Sequence, residues 1–377
     1  MEELSIIIFA TLPALLGCWL LPENYQIKAV GLVSFFLLAY LDAVSLAVLL
    51  ATSIFTYYTL HRLTKEKVAI LVIGTILAVI FLFFKVDFAS SHGFIRNRAL
   101  PLGMSYYIFR QLHFCLEVYK GDIRDVKFAN FMSYLLFFPV FLVGPINRYP
   151  EWEREIRRRR WDTDVFSSGL ERILFGYVKI VLLGNYLISN GLYKFIFNLG
   201  AEHKWLASYL DCLRYAANSY FQFAGYSDIA IGISLLMGIR IVENFNFPFL
   251  ATNINDFWKR WHISLSQWCR DYIFLPIASY TRMPIIAIVS SMLVLGLWHE
   301  VSMRYVVWGI FHGLGIAAWQ VFDKKFQFDF KNRSTQMLWR GASVILTFNF
   351  VVISFAWIKE DSFSEALEVF KALLFIA

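Results

Sequence analysis

The sequence predicts an all-α, polytopic integral membrane protein, and two observations carry that prediction. Of its 377 residues 58% are hydrophobic and 17% charged, with a mean hydropathy of +0.56, a composition more apolar than that of ordinary soluble domains. Apolar runs of the length that crosses a hydrocarbon core, about 17–25 residues, also recur from end to end: 4–21, 30–60, 68–84, 128–145, 221–241, 283–298, 305–322 and 337–357. With the longest run divided, these give roughly eight to eleven spans. No stretch of soluble-like composition exceeds a loop, so residues 1–377 read as a single membrane domain.

The first run follows Glu2 and Glu3 rather than a basic segment and has no A-x-A-like cleavage site, so it reads as a permanent helix. Two basic loops set the expected orientation. One holds His61, Arg62, Lys65 and Lys67; the other runs from Arg148 through Arg154 to Arg157-Arg158-Arg159-Arg160. Lys/Arg-rich loops mark the cytoplasmic side, which places the protein in the cell (cytoplasmic) membrane as a multi-pass protein. An arginine run beside apolar spans anchors to anionic lipid more readily than to nucleic acid. Membrane lipid is therefore an expected partner and nucleic acid is not.

If both basic loops are cytoplasmic, an even number of crossings separates them, yet three segments lie between: 68–84, 102–119 and 128–145. The middle one carries Arg110, His113 and Glu117, which are costly in hydrocarbon, so it is expected to be re-entrant or interfacial, with a crossing that faces a wet cavity as the rival reading. Segment 161–184 mixes Asp162, Asp164, Glu171, Arg172 and Lys179 with apolar residues at helical spacing, the pattern of a helix lying partly in the interface. Glu243-Asn244-Phe245-Asn246-Phe247-Pro248 interrupts an apolar pattern with a proline and alternating polar residues. Irregular backbone at membrane depth needs protein or a wet cavity to satisfy it, so this stretch is a candidate cavity rim.

Several chemistries are excluded. Cys18, Cys115, Cys212 and Cys269 are scattered, without the pairing of a disulfide framework or thiolate metal site. His299-Glu300 begins like H-E-x-x-H, but Met303 stands where the second ligand belongs, so no metal is expected. Neither a phosphate-binding G-x-x-x-x-G-K-[ST] loop nor a G-x-S-x-G elbow is present.

The densest polar cluster is Asp256-Phe257-Trp258-Lys259-Arg260-Trp261-His262-Ile263-Ser264-Leu265-Ser266-Gln267-Trp268-Cys269-Arg270-Asp271-Tyr272. Read as one helix, it puts Trp258, His262 and Ser266 on one face at i, i+4 and i+8. Tryptophans alone suggest an interfacial belt, but a belt does not explain so many charges and a histidine. His299 follows the apolar run ending Gly296-Leu297-Trp298 and belongs at or near a span end, where an ionisable residue is a functional candidate. A neutral, hydrogen-bonded packing role is the competing reading for both histidines. His312, beside Gly309 and Gly313, reads as packing. Ser227, Asp228, Ser264 and Ser266 read first as interhelical glue.

Gly225-Tyr226-Ser227-Asp228, Glu243-Asn244-Phe245-Asn246-Phe247-Pro248, Trp258-Lys259-Arg260-Trp261-His262-Ile263-Ser264-Leu265-Ser266 with Arg270-Asp271-Tyr272, and Gly296-Leu297-Trp298-His299 together resemble the membrane-bound O-acyltransferase superfamily. The alginate O-acetylase branch is most similar, with the D-alanyl transfer proteins of teichoic acid modification as near cousins. Pro101-Leu102-Gly103-Met104-Ser105-Tyr106, Val143-Gly144-Pro145-Ile146-Asn147-Arg148 and Trp357-Ile358-Lys359-Glu360 extend the likeness over nearly the whole chain.

The resemblance implies helices around a central tunnel and transfer of an acyl group, most simply acetyl, from a cytoplasmic thioester towards an extracytoplasmic polysaccharide. His299 is then the general base, with His262 orienting the acceptor or steadying the oxyanion. Trp258, Arg260, Trp261, Ser266, Arg270, Asp271, Trp298, Asn244 and Asn246 would contact substrate, and Lys259 would brace the tunnel mouth. No cofactor is expected to be held permanently; the donor would be acetyl-CoA or an acyl-carrier thioester, and the partners extracytoplasmic acetyltransferase or polysaccharide machinery. D-alanyl transfer to teichoic acid, direct acylation of a lipid or protein, and a non-catalytic transporter built on Arg110, Glu117 and the histidines are the alternatives. Two departures from the resemblance stand out. Glu300 occupies a position where glycine is usual, and the chain stops at Ala377, short of an expected C-terminal helix pair.

Overall fold

The computed structural model describes residues 2–63, 66–85, 101–124, 127–141, 144–199, 203–326 and 332–373. Lys65 of the first basic loop and Val143 of the sequence pattern lie outside them. Every regular element among the described residues is helical, so the all-α prediction holds. Six helices are long and apolar enough to cross a membrane, and 6–20 and 284–299 are shorter apolar helices, which makes this a multi-pass membrane protein.

The chain packs as two compact units, residues 1–175 with 226–242, and residues 176–225 with 243–377. In the first, α1 (Glu2–Leu20), α2 (Glu23–Leu41), α3 (Ala43–Arg62) and α4 (Lys67–Lys85) are followed by α5 (Met104–Lys120), α6 (Phe128–Leu135) and α7 (Tyr149–Arg158). The apolar run 30–60 divides at Asp42, whose side chain accepts from Val44 N–H at 3.0 Å and caps α3.

Segment 128–145 does not form the expected span. Its helix α6 holds eight residues, about 12 Å against a hydrocarbon core of about 30 Å, and is followed by a 3₁₀ turn at Phe138–Val140. Two residues end it: Pro139 lacks the N–H a continuing helix needs, and the fully buried Arg110 of α5 donates to the carbonyls of Tyr134 and Leu135. His113, also on α5, accepts from Tyr149 N–H at 3.1 Å. Arg110 and His113 are thus spent on holding a neighbouring chain segment, and α5 is not among the six long apolar helices.

The helix expected to lie partly in the interface at 161–184 proves longer than that segment. Residues 163–199 form one continuous helix, α8, with a π-helical stretch at Val178–Leu192, and this helix is one of the six. Its polar residues cluster at the start, where Asp162 caps the helix and Arg172 pairs with Asp228 at 2.6 Å; the apolar run after Lys179 is what the mixed N-terminal half obscures. The next helix, α9 (Lys204–Leu236), contains most of 221–241.

The second unit carries the motif residues. After α9 come a 3₁₀ turn at Pro248–Leu250, α10 (Ile254–Trp258), α11 (Ile263–Cys269), a π turn at Arg270–Phe274 and α12 (Leu275–Thr281). The long elements α13 (Pro284–His299), α14 (Met303–Lys325) and α15 (Arg333–Ser354) precede the short α16 (Phe363–Leu373). Helices α13 and α14 form a tight hairpin: a Cβ at Gly296 would strike the carbonyl oxygen of Tyr305, and one at Gly309 would lie 2.7 Å from that of Met292. Asn332 caps α15 by accepting from Ser334 N–H at 3.0 Å.

Candidate active site

The polar cluster around His262 is not one helix. α10 ends at Trp258, and the chain turns through Lys259–Trp261 to His262, whose φ of 45° is left-handed. A non-glycine residue in that region is strained and persists only where surrounding bonds hold it. Here Ile263 N–H donates to Asn244 O at 2.9 Å and Asn246 N–H to Arg260 O at 2.9 Å, pinning the turn to the 243–247 segment. The one-face spacing of Trp258, His262 and Ser266 is therefore overturned. What the turn achieves is to point the His262 side chain into the protein, 1% exposed.

There His262 Nδ1 lies 3.2 Å from Asn244 Oδ1, which also receives Ser264 N–H at 3.2 Å and Ser264 Oγ at 2.9 Å. The ring meets Phe223 at 4.5 Å and Trp298 at 5.6 Å, both edge-on. Its Nε2 is buried and has no hydrogen-bond partner.

His299 is the last residue of α13 and is partly exposed. Its ring contacts Trp298 at 4.6 Å, stacks with Tyr305 at 5.8 Å and meets Trp308 edge-on at 6.0 Å. Trp298 thus touches both histidines. Trp308 Nε1–H is buried and without a partner. Glu300 follows directly and grips the buried Arg304 with both carboxylate oxygens, at 2.9 and 3.1 Å. The residue in place of the usual glycine thus closes the α13–α14 turn with an ion pair.

A cavity of about 330 Å³ runs beside this centre, lined by Trp258, Lys259, Ser266, Gln267, Cys269 and Arg270 and walled by apolar residues of α13 and α14. The expected substrate residues divide around it. Trp258, Ser266 and Arg270 line the cavity; Asp271 pairs with Arg270 at 2.7 Å. Asn244 is fully buried and its Oδ1 engages His262 and Ser264. Trp261 stacks on Phe257 at 5.5 Å within an aromatic cluster that includes Phe245 and Phe249. Arg260 pairs with Asp256 at 2.8 Å, and Asn246 is exposed; neither lines the cavity. Sequence reasoning missed the partnership of Asn244 with His262, separated by eighteen residues, and the cavity residues Ser291 and Gln320, small or neutral polar residues in apolar helices that carry no local signal.

Comparison with known proteins bears on the same stretch. Residues 27–358 match the membrane-bound O-acyltransferase family. A probable alginate O-acetylase of Pseudomonas fluorescens is 31% identical over 83% of this chain, and the chain spans 65% of that protein's length. The teichoic acid D-alanyltransferase of Bacillus subtilis is 32% identical over 67% of each chain. The peptidoglycan O-acetyltransferase of Helicobacter pylori is 26% identical over 98% of this chain and 79% of its own. With the family pattern running through both units and nearly the whole length, the chain belongs to the membrane-bound O-acyltransferase family.

Proposed function

We propose that this protein is an O-acyltransferase of the cytoplasmic membrane that moves an acyl group, most simply acetyl, from a cytoplasmic thioester to a hydroxyl on the outer side. The observation that carries the proposal is the cavity that ends against the Trp258–Ser266 turn. Its volume suits an acyl group with part of the arm that bears it. Lys324 and Lys325 close α14, which supports a cytoplasmic position for that end. Ile316 and Gln320 line the cavity from the same half of α14, whereas His299 lies at the opposite end of the α13–α14 hairpin. A donor entering from the cytoplasm would find Lys259 and Arg270 in the cavity wall, two cations suited to a phosphate-bearing arm such as that of coenzyme A or a carrier protein.

The chemistry needs a base for the acceptor hydroxyl and a donor for the carbonyl oxygen. His299 takes the hydroxyl proton as the oxygen attacks the thioester carbonyl. Trp308 Nε1–H, buried and without a partner in ring contact with His299, is a group of the type a developing oxyanion requires. Collapse of the tetrahedral intermediate breaks the C–S bond, and the thiolate leaves with the proton returned by His299. The relatives that O-acetylate alginate or peptidoglycan favour a polysaccharide acceptor reached with extracytoplasmic partner machinery, and the D-alanyltransferase relatives sustain D-alanyl transfer as the second reading. Purified protein given radiolabelled acetyl-CoA tests the proposal directly: label appears in an ester, and a preparation that neither transfers nor hydrolyses acetyl or D-alanyl thioesters refutes it.

A further inference from the structure

The hydrogen bonds around Asn244 determine which nitrogen of His262 carries the proton. A backbone N–H can only donate, so the Asn244 side-chain atom facing Ser264 N–H at 3.2 Å is the amide oxygen. The same oxygen faces His262 Nδ1 at 3.2 Å. An oxygen that offers only lone pairs requires that Nδ1 be the N–H, which leaves Nε2 as a bare lone pair in the neutral ring. That lone pair is buried and without a partner, set among Phe223 and Trp298. A buried acceptor left unpaired is destabilising, the arrangement expected of a group awaiting a ligand donor.

We propose that Asn244 is a positioning residue that holds His262 as the Nδ1–H imidazole, so that Nε2 accepts a hydrogen bond from a second hydroxyl of the acceptor, beside the one that reacts. The inference rests on the acyl-transfer reading and adds to it a requirement on the acceptor: a hydroxyl next to the one that reacts, as sugars carry. It also divides the labour between the histidines. A neutral ring with its proton committed to Asn244 has none to give an oxyanion, so His262 orients the acceptor and leaves proton removal to His299. The surroundings keep it neutral: burial, and after it the neighbouring His299, hold the proton affinity of His262 well below the ordinary histidine value. His299, on α13, is the titratable group whose charge reaches it; Phe223 of α9 and Trp298 of α13 are not titratable, and Asn244 and Ser264 are neutral.

The test has a spectroscopic and a kinetic arm. Protein labelled with ¹⁵N-histidine, with the His262 signals identified by their loss in His262→Gln, should show Nδ1 protonated and Nε2 bare at neutral pH, and Asn244→Ala should erase that preference. Protonated Nε2 in the wild type overturns the proposal whether or not acyl transfer occurs, so this arm separates its failure from that of the enzyme reading. With acetyl-CoA as donor, Asn244→Ala should raise KM for a methyl glycoside about tenfold while changing KM for the glycoside lacking the neighbouring hydroxyl less than twofold. Equal effects on both acceptors, or transfer to simple alcohols with none to the glycoside, refute the second-hydroxyl role. Asn244→Asp keeps the acceptor oxygen but adds a negative charge, which raises the proton affinity of His262; below the raised value both nitrogens become donors. Its KM should climb as pH falls from about 8 to 6 while that of the wild type stays flat. Superimposable profiles would assign Asn244 a merely structural role.

Discussion

Trp258 Nε1–H donates to Nδ1 of His312 at 3.3 Å, and that bond fixes His312 in the tautomer opposite to His262. Indole N–H can only donate, so Nδ1 is the bare nitrogen and Nε2–H donates to Ser354 Oγ at 2.9 Å. Ser354 in turn donates to Val351 O at 2.6 Å. His312 therefore ties α10 and α15 to α14 with both nitrogens used. His312→Ala should lower thermal stability, by about 2–4 kcal/mol for a buried side chain whose partners lose their bonds, while turnover per folded molecule stays within about fivefold. A stable His312→Ala that has lost turnover a hundredfold would place this histidine in the chemistry instead.

Cys269 lines the cavity and lies one helical turn beyond Ser266, a position that invites a covalent relay through sulfur. Burial opposes it, because it pushes the Cys269 thiol up to about 12, and the thiolate is the nucleophile. At neutral pH the group is a protonated wall of the cavity. Cys269→Ser should keep turnover within about threefold, and intact-mass measurement after a burst of acetyl-CoA should show no acetylated protein. A loss beyond a hundredfold with the fold intact would call for an acyl-cysteine.

Much of this architecture was legible in the sequence because apolar runs of membrane length become helices wherever nothing interrupts them. Reading failed where the interruption came from elsewhere in the chain. Pro139 is a local breaker in 128–145, but nothing in that segment announces that Arg110 will take its carbonyls, and the polar start of α8 hid the apolar length behind it. The site shows the same limit. His262 and His299 stand out by residue type, but the spacing of Trp258, His262 and Ser266 fits a continuous helix equally well. The left-handed turn at His262 exists because Asn244 and Asn246 bond across it, a tertiary cause with no short-range signature.

The expected orientation has its own test at Arg158, exposed at the end of α7. Its neighbour Arg159 is used internally: the guanidinium donates to Cys18 O at 3.1 Å and lies 4.7 Å over the Trp19 ring. Arg158 and Arg160 remain outward, suited to anionic headgroups. A cysteine at Arg158 should be shielded from an impermeant thiol reagent in intact cells and react once the membrane is opened. Labelling from outside would reverse the assignment of sides.

Trp308 offers a substitution that removes the N–H and keeps an aromatic ring, though a smaller one. Trp308→Phe keeps an aromatic ring against His299 and His312 but deletes the unpartnered N–H. If that N–H meets the oxyanion, kcat should fall by about 10²–10³ with KM for acetyl-CoA nearly unchanged, the size expected for one preorganised donor. A fall in stability with normal kcat would make the residue a packing one.

His299 bears most directly on the proposed chemistry. Its ring is partly exposed at the end of α13 and holds its place by stacking on Tyr305, so truncation removes little buried area and opens no large cavity. The turn that carries it is secured independently by the Glu300–Arg304 pair. His299→Ala should therefore stay folded and inserted, with a melting temperature closer to wild type than that of His312→Ala. Removing a general base costs on the order of 10²–10⁴ in rate, whereas removing a partly exposed packing ring leaves turnover per folded molecule almost intact. The expected result is a folded His299→Ala without acyl transfer, set beside a Glu300→Gln variant that weakens the clasp and keeps the imidazole and most of the rate. Purified His299→Ala working at near wild-type rate would refute the assignment of the base while leaving family membership untouched.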